Sequence, residues 1–97
     1  MGFVQIIRMK TSRPDELERI HETWRAATEG VRTVSRELVT KDRNANDVYW
    51  IIVEFPDHDA AMRNNELAAT HEIAAAMAAL AEEPLQFLDL DVLRIDV

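Results

Sequence analysis

Val48-Tyr49-Trp50-Ile51-Ile52-Val53-Glu54-Phe55 decides the fold, because seven of its eight residues are apolar or aromatic and the run stops at Pro56. β-Branched and aromatic side chains fit a pleated strand, and proline has no N–H with which to continue a ladder. The stretch reads as a central strand. Alternation puts Tyr49, Ile51, Val53 and Phe55 on one face and Val48, Trp50, Ile52 and Glu54 on the other. Both faces therefore need cover.

Upstream, the polar stretch Asp42 to Asp47 predicts a hairpin loop, and residues 33–41, with Val34, Leu38 and Val39 among polar neighbours, predict an edge strand. Before it, Leu17, Ile20, Trp24, Ala27 and Val31 recur at helical spacing. Ser12, Pro14 and Asp15 predict the start of that helix, and Gly30, backed by Val31, its left-handed stop. Phe3 to Lys10 reads as the first strand. Downstream, Asp57 is the expected cap of a second helix running to Leu80, with a break near residues 65–70 at Asn64-Asn65 and Thr70-His71. Pro84 ends it, and Leu85 to Ile95 predicts the last strand.

Ninety-seven residues suit one domain, residues 1–97. A net charge of −7 and the lack of a Lys/Arg cluster argue against nucleic-acid binding. No apolar run approaches the ~20 residues of a membrane span, and neither a signal peptide nor a myristoylation pattern is read at the start, so a soluble cytoplasmic protein is expected. Arginine outnumbers lysine nine to two and alanine is abundant, which suggests a GC-rich bacterial source. Without cysteine there are no disulfides, thiolate nucleophiles or Cys-type metal sites. His58 and His71 match no metal spacing, so neither metal nor cofactor is expected.

The order β-α-β-β-α-β predicts an α+β, ferredoxin-like antiparallel sheet of order 4-1-3-2 with both helices on one face. The other face, with Trp50 and Ile52, is left bare. At ~25 cal/mol per Å², several hundred Å² of uncovered apolar surface forgoes on the order of 10 kcal/mol, so a homodimer is expected. The layout, and Tyr-Trp-Ile-Ile-Val-Glu-Phe followed by Pro-Asp-His-Asp-Ala-Ala-Met, resembles the dimeric α/β-barrel superfamily, in particular its antibiotic-biosynthesis-monooxygenase-like branch. The resemblance implies two sheets facing each other around a cavity. Known members include cofactor-independent oxygenases of polyketide aromatics and haem-degrading enzymes. The Asn on the first strand and the Trp on the second helix used by the latter have no counterparts here, and haem is not expected.

His71 is the candidate catalytic base, since an imidazole titrates near neutrality and the broken second helix could border a cavity mouth. Trp50, Glu54, Arg36 and Gln5 are the candidate substrate-binding residues, and with Asp89 and Asp91 they are expected on the bare face. The plainer readings are that Trp50 and Trp24 pack, that the polar groups pair with one another, and that His58 and His21 belong to a helix cap and a helix flank. Two functions follow. One is an antibiotic-biosynthesis-monooxygenase-like enzyme, free of cofactor, acting on a small aromatic or enolisable substrate in the barrel cavity; the other is a non-catalytic homodimeric module that binds a small hydrophobic ligand or scaffolds. A cavity of at least ~300 Å³ with convergent polar groups would favour the first.

Overall fold

A computed structural model describes residues 2–97. The chain runs β1 (Phe3–Lys10), α1 (Pro14–Ala27), β2 (Arg36–Lys41), β3 (Val48–Phe55), α2 (His58–Glu66), α3 (Ala68–Leu80) and β4 (Gln86–Asp91). Its four strands form one antiparallel sheet of order β2-β3-β1-β4, the expected 4-1-3-2 read from the opposite edge. The central stretch lies between β1 and β2, with Ile51 opposite Ile7 on one side and Val39 on the other.

Tyr49, Ile51, Val53 and Phe55 are buried under the helices with Phe3, Met9, Leu17 and Met77, whereas Trp50, Ile52 and Glu54 on the other face are half-buried. Asp57 caps α2 as expected, its Oδ1 accepting from the Ala60 N–H at 2.7 Å. Ala60 and Ala61 are fully buried, and their small side chains let α2 lie close on β3. The expected break falls at Leu67, whose extended backbone (φ −64°, ψ 135°) separates α2 from α3.

Other boundaries differ from expectation for local reasons. Ser12 does not cap α1: Arg13 occupies that position without a side-chain cap, while the Ser12 N–H donates to Glu82 and Thr11 Oγ1 accepts from the Arg13 N–H. The helix ends at Ala27, where the Thr28 hydroxyl donates to the Trp24 carbonyl at 2.7 Å. Gly30 does adopt a left-handed φ of 81°, but Val31 behind it is exposed and supplies no closing contact. The edge strand starts at Arg36 because Thr33 donates to the Ala60 carbonyl instead of joining the sheet. The last strand is also shorter than expected; after Asp91, Val92 N–H still donates to the Gly2 carbonyl, and residues 93–97 form no ladder.

Candidate functional site

The helices do not close flush on the sheet. After Leu67 the chain changes direction, and α3 buries only Met77 among its thirteen residues, so a cavity of about 370 Å³ remains between α1, α3 and the sheet. Its walls are mainly apolar, with Leu17, Trp24, Ile51, Val53 and Met77 among them. Polar groups enter from separate elements: His21 from α1, Glu37 from β2, Gln5 from β1 and Asn64 from α2.

His21 lies on the buried stripe of α1, four residues after Leu17 and three before Trp24, which directs it at the sheet. Its Nε2 is hydrogen-bonded to the carboxylate of Glu37, and both side chains are largely shielded. The imidazole stacks on Trp24, with centroids 6.0 Å apart and planes 24° from parallel. Trp24 in turn donates from Nε1 to Thr70 Oγ1 at 3.1 Å, tying α1 to the first turn of α3. The ring therefore has little freedom to swing away.

Asn64 is 4% exposed, and its Oδ1 is the one buried side-chain oxygen or nitrogen without a hydrogen-bond partner among the described residues. Burying such an atom costs about 1–3 kcal/mol, so an unsatisfied amide at a cavity wall calls for an explanation beyond folding. Among those residues no group of three or more His, Asp and Glu side chains converges as metal ligands would.

The expected site residues divide between the two faces. Gln5 faces the helices and lines the cavity, as its alternation with buried Phe3 and Met9 requires, and its neighbours Asp89 and Asp91 point the same way. None of the three lies on the bare face where they were expected. Trp50, Glu54 and Arg36 do lie on that outer face, away from the cavity. Arg36 pairs with Glu54 at 2.8 Å, and Trp50 Nε1 donates to Asp42 at 2.9 Å. That indole bond, followed by the Asn44 N–H, holds the Asp42 carboxyl below its ordinary range. His71 is exposed and borders an adjoining space of about 430 Å³, between α3, β1 and the start of β4. Within one chain, Trp50, Glu54 and His71 thus do not share a cavity. His21, Glu37 and Asn64 are not among the site residues expected from sequence, which places His21 on a helix flank and Asn64 at the helix break, although the place of His21 between Leu17 and Trp24 signals an inward direction.

No family model matches the chain, and no curated protein matches it. Solved structures do match. A protein from Caulobacter crescentus CB15, provisionally called an antibiotic biosynthesis monooxygenase, superposes with a TM-score of 0.82 at 14% identity, over 96% of this chain and 91% of that one. The fold is that of the antibiotic-biosynthesis-monooxygenase-like proteins. SnoaB of Streptomyces nogalater, a cofactor-independent oxygenase, matches with a TM-score of 0.81 at 19% identity, covering 97% of this chain and 95% of its own. Rv0793 of Mycobacterium tuberculosis covers both chains fully with a TM-score of 0.79 at 13% identity. At such identities the likeness establishes the ferredoxin-like architecture, and the side chains must carry any account of chemistry.

Proposed function

We propose that this chain is a cofactor-independent oxygenase-like enzyme that holds a small aromatic or enolisable substrate in the cavity between helices and sheet. The observation that carries this reading is the His21–Glu37 pair in an apolar cavity whose wall also includes Asn64, a residue with a buried, unpartnered Oδ1. With a small turn of the Asn64 side chain a ligand hydroxyl would satisfy the amide oxygen, and the apolar walls would take a ring. We assign the base to His21 rather than His71, because His21 lines the cavity beneath the helices and its ring is held in place by Glu37 and Trp24. The match to SnoaB supports the reaction class.

The chemistry asks little of residue types. His21 takes a proton from a substrate CH₂ activated by a ring hydroxyl, and the resulting carbanion adds to dioxygen. Collapse of the hydroperoxide yields a carbonyl and water, so CH₂ and O₂ become C=O and H₂O with no external reductant. The protein supplies proton removal, orientation and exclusion of water. The test is an oxygen-electrode screen of phenolic and enolisable compounds. Turnover should fall at least a hundredfold in His21→Gln, in keeping with the usual worth of a general base of roughly 10²–10⁴. Turnover unchanged in that variant would remove His21 from the mechanism.

A homodimer belongs to the same reading. The outer face carries Ile6, Leu38, Trp50 and Ile52, with Leu88 and Leu90 48% and 45% exposed, and a second copy would bury it against an equivalent surface. A stable monomer at micromolar concentration in sedimentation equilibrium would exclude this arrangement. The cavity's volume and convergent polar groups are those of a ligand site, which weighs against a purely scaffolding module; turnover in the screen separates an enzyme from a ligand-binding module.

A further inference from the structure

The floor of the cavity is crossed by one row of side chains. Glu37 of β2 stands opposite Val53 of β3, Val53 opposite Gln5 of β1, and Gln5 opposite Asp89 of β4. The adjoining row on that face, Val39, Ile51, Ile7 and Phe87, is wholly apolar. Strands lie ~4.8 Å apart, so the backbones of Glu37 and Gln5 are about 10 Å apart along the row. Gln5 also lies at the seam between the cavity and the adjoining space. It interrupts an otherwise apolar stripe of β1, made by Phe3, Ile7 and Met9.

Gln5 Nε2 donates to Asp89 Oδ1 at 3.3 Å. An ionised carboxylate only accepts, so this bond decides which end of the amide faces Asp89 and leaves the carbonyl oxygen, an acceptor, for the cavity. We propose that Gln5, oriented by Asp89, is a second anchor that selects ligands bearing a hydroxyl at the end remote from His21. The preferred ligand then carries a hydroxyl at each of its two ends, and Asp89 is a positioning residue that acts through Gln5. This rests on the helix-side cavity being the ligand site.

Calorimetric titration of the full chain with 2-naphthol and with 2,6-dihydroxynaphthalene tests both layers separately. The diol should bind about tenfold tighter, the worth of one added hydrogen bond. Gln5→Leu should abolish that preference while 2-naphthol still binds. Asp89→Asn, at an exposed position, should shrink the preference without weakening 2-naphthol, because an asparagine can accept or donate and no longer fixes the Gln5 amide; a merely structural role would weaken both probes alike. Equal affinity of the two probes for the unaltered protein, or a preference that survives Gln5→Leu, overturns the assignment of Gln5 and leaves the cavity reading intact. Failure of both naphthols to bind overturns the cavity reading, and this inference with it.

Discussion

The two faces of β3 differ in what they leave unsatisfied. On the helix side, apolar side chains are buried and a polar atom, Asn64 Oδ1, lacks a partner; on the outer side, the polar groups are paired, Arg36 with Glu54 and Trp50 with Asp42, and apolar groups are left in contact with water. An enclosed polar atom is satisfied by a small molecule, whereas exposed apolar area is removed from water by another surface. One strand can thus serve a ligand site and an interface by alternation alone.

That contrast can be broken most sharply by truncating opposite faces of the same strand. Phe55→Ala removes a ring from the chain's own core and should cost about 3–5 kcal/mol in denaturant unfolding, independent of protein concentration. Ile52→Ala should cost less and in a concentration-dependent way, because the homodimer proposed above makes the stability lost there that of association. Equal, concentration-independent losses would mean that the outer face contributes nothing to an interface. Next in size, Trp50→Asp should weaken self-association on the order of 3 kcal/mol, a hundredfold or more in Kd, read by sedimentation.

Asn64→Leu sharpens the other side of the comparison. It removes the unpartnered buried oxygen with a side chain of the same branching, whose bulkier methyl groups the adjoining cavity can take, so the free protein should gain about 1 kcal/mol. Affinity for 2-naphthol should fall roughly tenfold at the same time. A loss of stability instead would show that the amide is satisfied within the fold. The smallest effect is expected at Asp42, whose carboxyl is held low by the Trp50 indole and the Asn44 N–H. A carboxyl with a depressed folded pKa contributes stability that is present above its unfolded value, near 4, and is lost as pH falls through the folded one. Asp42→Asn should therefore flatten the acid limb of the stability profile below about pH 4 and leave its slope near neutrality unchanged.

The architecture was legible because its signals are local and redundant. The eight-residue strand, the Asp57 cap and the weak helix formers around Leu67 each act within a few residues, and together they require the order β2-β3-β1-β4. The site was less legible. Exposed apolar residues drew attention to the outer face, where Trp50 and Glu54 are indeed found, but the cavity arises from an imperfect fit of α3 on the sheet, a long-range property that periodicity does not encode. The face of Gln5 could have been read from Phe3 and Met9, two and four residues away on the same strand. The partnership of His21 with Glu37 joins residues sixteen positions apart on different elements, and only tertiary structure brings them together.

The two tryptophans make the decisive measurement available, because Trp24 lines the cavity and Trp50 lies on the opposite face. In ¹⁵N-labelled protein each contributes one indole N–H signal, held in place by Thr70 and by Asp42 respectively. On titration with 2-naphthol, the Trp24 indole signal should shift saturably while that of Trp50 stays where it is. A saturable shift of the Trp50 signal, with Trp24 unmoved, would place the ligand on the outer face of the sheet and contradict the account.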